Sequence, residues 1–429
     1  MLPSRERVQA ALDHREADRI PLDLGGTSVS GMHVDTVYRL RQALGLDPAG
    51  TPVKVIDPYQ MLGEVKPDIQ KALGIDTVML SGNGTLFGFD LDGWKEWTTF
   101  GGTPVLVPRD FNTVPEPNGD LFLYPAGDRS ALPSGRMPKG GFYFDVIIRQ
   151  TPVDDRQLKV EDNLEEFTPF SDAELEHFRC MADTLYAETH KAIVMDLEGM
   201  TLGNIARVPG PALRQPRGIR GVEDWYISLK TRRDFIYEIF QRQTELNLAN
   251  LQRLHQAVGD RPAVADLSCA EFGMQEGPLI SPRIYRDLFL PFHKQINDWV
   301  HRHTSWKTFI HTCGSVRALI GDFIAAGFDV LCPVQTSAAD MNPLELKREF
   351  GDRITFWGGG VETQSTLPYG TPQDVRRQVH ERMRAFGLGG GFVFSAVHNI
   401  QALVPVENVL AMYEAAREHG RNPVYKEAE

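Results

Sequence analysis

The sequence is poor in cysteine, with only Cys180, Cys269, Cys313 and Cys332 among 429 residues. These four lack the dense, even spacing of a disulfide-stapled secreted domain, which excludes that class and indicates a reducing cytoplasm. In such a compartment a cysteine can serve as a thiolate for metal binding or catalysis. Cys332 is flanked by apolar residues and Cys180 stands in a helix-like stretch, so both are predicted to lie in the core.

Long apolar runs and an excess of positive charge are also missing. No window approaches the roughly 18 apolar residues of a membrane span, and MLPSRERVQAALDHREADRIPLDLGG has no apolar signal region. The 45 basic and 57 acidic residues give a formal net charge of -12, which argues against nucleic acid or an anionic membrane as main partner. We therefore expect a cytoplasmic protein that acts on a small molecule.

The fold signal is strongest in the carboxyl-terminal half. Runs rich in β-branched and aromatic residues alternate with amphipathic helices, at about one βα unit per 30 residues. The helices have clear start signals, such as the cap, proline and acid of Thr371-Pro372-Gln373-Asp374. This rhythm predicts an α/β protein built on a (β/α)8 TIM-type barrel. The predicted strands of this half are 192–196, 262–267, 307–311, 329–334, 354–357 and 391–396.

The remainder of the chain is predicted to add an N-terminal extension and a β-rich insertion. We assign residues 1–86 to the N-terminal segment and first part of the barrel, 87–170 to the insertion or flap, and 171–429 to the rest of the barrel with the active site. Short aromatic strands broken by Gly and Pro predict a small sheet in the insertion. Residues 140–145 are either a substrate-facing loop or part of the aromatic core of that sheet.

The segment TFIHTCGS, Thr308 to Ser315, carries the chemical interpretation. Side chains two positions apart on a strand point to the same face, so His311 and Cys313 are predicted to enter one cavity. Imidazole and thiolate suit zinc, which keeps an open position in its catalytic sites. We predict His398 as third ligand and Glu271 as fourth, with His311 and Glu271 as the catalytic groups.

Polar residues near other strand ends are candidates for substrate binding, because TIM barrels place reactive groups at the carboxyl ends of their strands. The predicted substrate-binding residues are Asp196, Gln335, Trp357, Asn399 and Gln401. Each predicted ligand also has a second interpretation. His311 can bind a substrate carboxylate, Cys313 can be a small buried hydrophobe, and His398 can be a loop histidine bonded to backbone.

Four segments carry a resemblance to a known family: SRERVQAALDHREADRIPLDLGG, FGMQEGPLISPRIYRDLFLPFHK, FIHTCGSVRALIGDFIAAGFDVLCPVQ and GGGFVFSAVHNIQALVPVENVLAMYEAA. They resemble the uroporphyrinogen decarboxylase superfamily, and within it the methyltransferase-like branch with its cobalamin-dependent methyltransferases. True uroporphyrinogen decarboxylases grip propionates with an RQAGRY-type motif. Here LDLGGTSVSGMH stands near its place, so the resemblance does not extend to porphyrinogen decarboxylation.

The resemblance implies a zinc site and a corrinoid partner. Methyltransferases of this branch bind zinc through an HxC pair and a later cysteine. His311 and Cys313 match the pair, and His398 stands near the place of the later cysteine. The sequence has no D-x-H-x-x-G pattern of a corrinoid-binding domain, so cobalamin is expected on a partner protein. The implied reaction is zinc-assisted methyl transfer between a methoxylated compound or thiol and that corrinoid protein, with O-demethylation as one form.

Two other functions stay open. A metal-free decarboxylase or lyase would use Asp196, Glu271 and His311 to position charge and protons on a small organic acid. A non-enzymatic corrinoid or tetrapyrrole carrier would bind its pigment tightly without turnover. The sequence does not fix the oligomeric state, and a homodimer is one of the possibilities.

Overall fold

Seven parallel strands form the largest sheet of this computed structural model, which describes residues 2–421 apart from the side chain at position 198. The strands in chain order are β1 Val53–Asp57, β2 Leu62–Gly63, β3 Thr77–Leu80, β4 Lys95–Thr98, β5 Pro104–Val107, β6 Leu121–Leu123, β7 Gly135–Met137, β8 Asp145–Val146, β9 Ala192–Asp196, β10 Pro262–Ser268, β11 Lys307–His311, β12 Val330–Cys332, β13 Thr355–Trp357 and β14 Phe392–Val393. The large sheet has the order β14-β13-β12-β11-β10-β9-β3.

Residues 20–24 close this sheet into a ring. The backbone N–H of Asp23 donates to the carbonyl of Phe394 at 2.8 Å, and the N–H of Asp76 donates to the carbonyl of Leu22 at 2.8 Å. Leu22 also forms a parallel bridge with Phe394. The segment therefore lies between β14 and β3 and takes the place of the eighth strand of the barrel. The predicted (β/α)8 TIM-type barrel is confirmed.

Helices cover the outside of the barrel and connect its strands. They are α1 Ser4–Leu12, α2 Val34–Ala43, α3 Pro67–Leu73, α4 Asp172–Glu188, α5 Val222–Thr231, α6 Arg233–Val258, α7 Pro282–Ile284, α8 Leu290–His303, α9 Arg317–Ala325, α10 Pro343–Phe350, α11 Thr366–Tyr369, α12 Pro372–Phe386 and α13 Val406–His419. The capping box predicted at Thr371 and Asp374 opens α12. Within residues 2–421, no helix combines the length and apolar character needed to cross a membrane.

The two cysteines predicted to lie in the core differ in their surroundings. Cys332 is buried at the end of β12, as expected. The prediction for Cys180 is wrong, because this residue is exposed on α4 and its thiol donates to the carboxylate of Glu176. The inward stripe of α4 carries Phe178 and Ala182 instead. Cys180 is two positions from each of these residues, which places its side chain on the opposite side of the helix.

Two small sheets lie in and beside the predicted insertion. One has the order β2-β1-β5-β4 and the other β6-β7-β8, so the first joins residues 53–63 to strands of the insertion. Phe144 is fully buried, with ring centroids 6.4 Å from Phe87 and 5.8 Å from Phe111, whereas Tyr143 is 49% exposed. Phe144 thus belongs to an aromatic core. That core is continuous with the apolar residues of the barrel.

Candidate functional site

The turn after β11 is shaped by close backbone packing against the loop after β10. Gly314 has a φ of +82°, and a Cβ at this position would lie 2.6 Å from the backbone carbon of Gly273. Only glycine fits such a conformation and approach. The N–H of Gly314 donates to Oε1 of Gln335 at 2.8 Å. These contacts fix the direction in which Cys313 leaves the strand end.

Three of the predicted ligands converge at the carboxyl end of the barrel. Nε2 of His311 lies 3.6 Å from Sγ of Cys313, and the ring centroids of His311 and His398 are 5.5 Å apart. One ligand atom from each of the three residues lies within 4.8 Å of the others. Strands β11 and β14, which are not neighbours in the sheet, therefore deliver their side chains to one point.

The donor set and its spacing suit zinc. Zinc–nitrogen and zinc–sulfur bonds of ordinary length, at a tetrahedral angle, separate the two donor atoms by about 3.6 Å. The His311 to Cys313 distance equals this value. Nδ1 of His311 is buried and has no hydrogen-bond partner within residues 2–421, so the ring has unused binding capacity.

His398 also forms the backbone contact of its second interpretation. The N–H of Asn399 donates to Nδ1 of His398 at 2.8 Å. A neutral imidazole that accepts a hydrogen bond at Nδ1 carries its proton on Nε2. Ligation through Nε2 would therefore require His398 to release the Asn399 contact.

Glu271 lies beside the cluster and holds Cys313 in place. Its Oε2 accepts a hydrogen bond from the backbone N–H of Cys313 at 2.9 Å, and its Oε1 lies 3.9 Å from Nε2 of His311. Burial raises the pKa of the Glu271 carboxyl above its ordinary value. The carboxylate orients the thiol-bearing residue from a position outside the three-residue ligand cluster.

Burial disfavours the charged forms of the two imidazoles and of the thiol in this cluster. It lowers the pKa of His398 to about 4 and the pKa of His311 well below its ordinary value, with the charge of His398 adding to the second shift. It also raises the pKa of the Cys313 thiol, to which the charge of Glu271 contributes. A divalent cation would favour the deprotonated form of Cys313, because it stabilises the thiolate.

Two cavities meet at the cluster. The larger, of about 870 Å³, is lined by Asp196, Glu271, His311 and His398 among other residues. The smaller, of about 320 Å³, is lined by Cys313, Gln335 and again His398. His398 lines both cavities, so the potential metal ligands lie where the two cavities adjoin.

The remaining predicted substrate residues lie away from both cavities. Trp357 is fully buried inside the barrel, where its indole N–H donates to Oδ2 of Asp23 at 2.8 Å. Asn399 is also fully buried, and its Nδ2 donates to the backbone of Ser28 at 2.8 Å. Gln401 is exposed. Trp357 and Asn399 are therefore buried residues that bond other parts of the protein, and Gln401 lies at the surface.

Asp57 is a candidate that the sequence analysis missed. It ends β1, lines the larger cavity and accepts a hydrogen bond from the N–H of Tyr59 at 2.8 Å. Burial raises the pKa of Asp57 to about 6, and the charge of Asp196 adds to the shift. An available signal was the run VKVID, a strand-like segment that ends in an acid.

A sequence comparison covers the part of the chain that carries the candidate ligands. A family model described as uroporphyrinogen decarboxylase (URO-D) matches residues 213–419, a range that contains Glu271, His311, Cys313 and His398. The match covers just under half of the chain, and this part of the chain is similar to the uroporphyrinogen decarboxylase family. Asp57 and Asp196 lie outside the matched range.

Individual relatives in the superfamily are distant. Uroporphyrinogen decarboxylase of Psychromonas ingrahamii is 27% identical over 142 residues, which are 33% of this chain and 39% of that protein. Its counterpart from Coxiella burnetii is 25% identical over 191 residues, 43% of this chain and 47% of that protein. The match thus spans less than half the length of these curated relatives.

A solved structure extends the likeness along the whole chain. A methyltransferase from Methanosarcina mazei has a TM-score of 0.56 and 16% identity, and the alignment covers 97% of this chain and 99% of that chain. At this identity the likeness shows a shared fold. It includes the N-terminal segment and the insertion as well as the barrel.

Proposed function

We propose that the protein is a zinc-assisted, cobalamin-dependent methyltransferase. It moves a methyl group between a small substrate, a methoxylated compound or thiol, and a corrinoid carried by a partner protein, with O-demethylation as one form of the reaction. The convergence of His311, Cys313 and His398 within 4.8 Å, at the junction of two cavities, carries the proposal. The Methanosarcina mazei methyltransferase that shares the fold adds support.

The side chains of the cluster would have distinct tasks. His311, Cys313 and His398 would hold the ion, and Glu271 would keep Cys313 oriented through its backbone N–H. A zinc ion bound there would supply a Lewis acid for a substrate thiol or ether oxygen. Gln335 would keep the turn at Gly314 rigid, so that the donor atoms are held in place before any ligand arrives.

The larger cavity would bind the small substrate. Its wall includes the apolar side chains of Phe170, Phe178 and Met181, which exclude water from the reacting groups. Asp57 and Asp196 line the same space and can exchange a proton with a leaving or attacking oxygen or sulfur. Cobalamin would supply the methyl-carrying cobalt, and we propose that a separate protein carries it.

Metal content is the first test. Freshly purified protein is expected to hold about one zinc per chain, and His311→Ala and Cys313→Ser to lose most of it, because each removes one of three ligands. Cys269→Ser is the matched control, since Cys269 lines the larger cavity outside the ligand cluster. Inductively coupled plasma spectrometry measures the zinc. Full zinc content in both ligand variants would contradict the proposed site.

Methyl transfer is the second test. The wild type is expected to methylate a reduced corrinoid when supplied with methoxylated compounds or methylated thiols, which absorbance spectroscopy detects. His311→Ala should lose this activity together with its zinc.

A metal-free carboxy-lyase is the second candidate, favoured by the acids Asp57, Asp196 and Glu271 in one cavity. Decarboxylation of a small organic acid by zinc-free protein, undiminished in His311→Ala, would establish it instead. Stoichiometric binding of a corrinoid or tetrapyrrole with no turnover would establish a carrier.

A further inference from the structure

We infer that Arg207 binds the carboxylate of an anionic substrate in the larger cavity. The inference deepens the proposed function and rests on it in one respect, the use of this cavity for the small substrate. It narrows the substrate class to carboxylic acids with an apolar body.

Arg207 lies on the loop between β9 and α5 and lines the larger cavity. Its Nε is buried and has no hydrogen-bond partner, and among the described side chains, which do not include that of residue 198, its guanidinium forms no ion pair. Two other arginines of this region are paired: Nη1 of Arg220 lies 2.7 Å from Glu166, and Nη2 of Arg217 lies 2.6 Å from Glu165. Arg207 thus carries a positive charge that forms no ion pair with a described carboxylate of the protein.

The unmatched guanidinium suits an anion supplied from outside. Desolvating a charge without a partner is costly, and a planar carboxylate can accept two parallel hydrogen bonds from this group. Three carboxylates of the cavity wall already have internal donors. Asp57 accepts from Tyr59, Asp196 from Ser28 and Glu271 from Cys313.

Lys66 is a second cation on the same wall, but it has carboxylates nearby. Its charge lowers the pKa of both Asp47 and Asp68. Nearby carboxylates therefore compensate the positive charge of Lys66, whereas the positive charge of Arg207 has no such partner among the described side chains. The contrast makes Lys66 a matched control.

The rest of the cavity indicates what the carboxylate is attached to. A volume of about 870 Å³ is in the range of sites for small organic ligands. Much of the wall is apolar, including Leu86, Leu91, Phe170, Phe178, Met181 and Leu246. A body the size of a substituted ring can lie against these side chains while its carboxylate meets Arg207.

Equilibrium binding tests the inference without any methyl transfer. The probes are 4-methoxybenzoate and its neutral counterpart 4-methoxybenzamide, titrated by calorimetry into the wild type, Arg207→Met, Arg207→Lys and Lys66→Met. We expect the wild type to prefer the carboxylate. Arg207→Met should weaken carboxylate binding by about tenfold to a hundredfold, the range for a hydrogen-bonded charge pair, and leave the amide unchanged. Arg207→Lys should recover part of the loss, and Lys66→Met should bind like the wild type.

Several outcomes would overturn the inference. They are no preference of the wild type for the carboxylate, no measurable carboxylate binding, an equal loss for both probes in Arg207→Met, or the same loss in Lys66→Met. Displacement of the carboxylate by an equal concentration of inorganic phosphate would assign Arg207 to a phosphate-bearing ligand and would also overturn it. Thermal melts of each variant show that the fold is kept. Carboxylate binding through Arg207 without methyl transfer would reject the proposed function and leave this inference standing.

Discussion

At the scale of single residues, Asp57 links stability to pH. Because burial raises its pKa from 3.8 to about 6, the folded protein holds this proton more tightly than the unfolded chain does. The contribution of Asp57 to the free energy of unfolding therefore falls as pH rises from 4 to 6, because the buried carboxyl becomes charged. Asp57→Asn removes that cost and is expected to stabilise the fold by about 1 to 3 kcal/mol at pH 8, and by about half as much at pH 5. Urea denaturation at the two pH values measures it, and an equal gain at both would attribute the effect to packing.

Glu271 is expected to tune zinc affinity through its bond to the backbone of Cys313. Glu271→Gln keeps an acceptor for that N–H and removes the negative charge beside the cluster. We expect zinc affinity to fall about tenfold or more, as for other groups that orient metal ligands. Competition with a chromophoric chelator measures it. Glu276→Gln is the control, because Glu276 is exposed on the same loop, and an equal loss there would contradict the role of Glu271.

At the scale of elements, the aromatic core of the insertion should be part of the main folding unit. Phe144→Ala removes a fully buried ring from its contacts with Phe87 and Phe111, at an expected cost of about 3 to 5 kcal/mol. The neighbouring Tyr143→Ala should cost at most about 0.5 kcal/mol, since that side chain is 49% exposed. Calorimetry should show one lowered transition for Phe144→Ala. A separate early transition would mean that the insertion unfolds by itself.

At the scale of the whole molecule, Asp76 connects the first helix to the barrel seam. Its fully buried carboxylate accepts from Arg7 at 2.7 Å and from Arg19 at 2.6 Å. Asp76→Ala leaves two arginines with less charge compensation and is expected to cost about 3 to 5 kcal/mol. Asp18 is also a partner of Arg7, but the side chain of Asp18 is 25% exposed. Asp18→Ala is therefore expected to cost less, about 1 kcal/mol. Chemical denaturation compares the two, and equal losses would contradict this ranking.

The fold was predictable because its signals are local. The bounds of β9 and β11 equal the predicted ranges, since both are β-branched runs with clear ends. The HxC pair was found from strand alternation alone. Alternation does not tell whether an inward residue meets a cavity or the core, and the burial of Trp357 inside the barrel is visible only in the structure. Arg207 stands on a loop without periodicity, and its isolation from other charges is visible only in three dimensions.

The seam at residues 20–24 has a consequence for synthesis of the protein. The segment 20–24 is among the first parts of the chain to be made, yet on one side it pairs with Phe394, which is made late. Until the ribosome has released that late residue, the carbonyl of Pro21 and the N–H of Asp23 lack their backbone partners. During translation the nascent barrel must therefore persist as an open sheet with two free edges, the kind of surface that chaperones protect from aggregation.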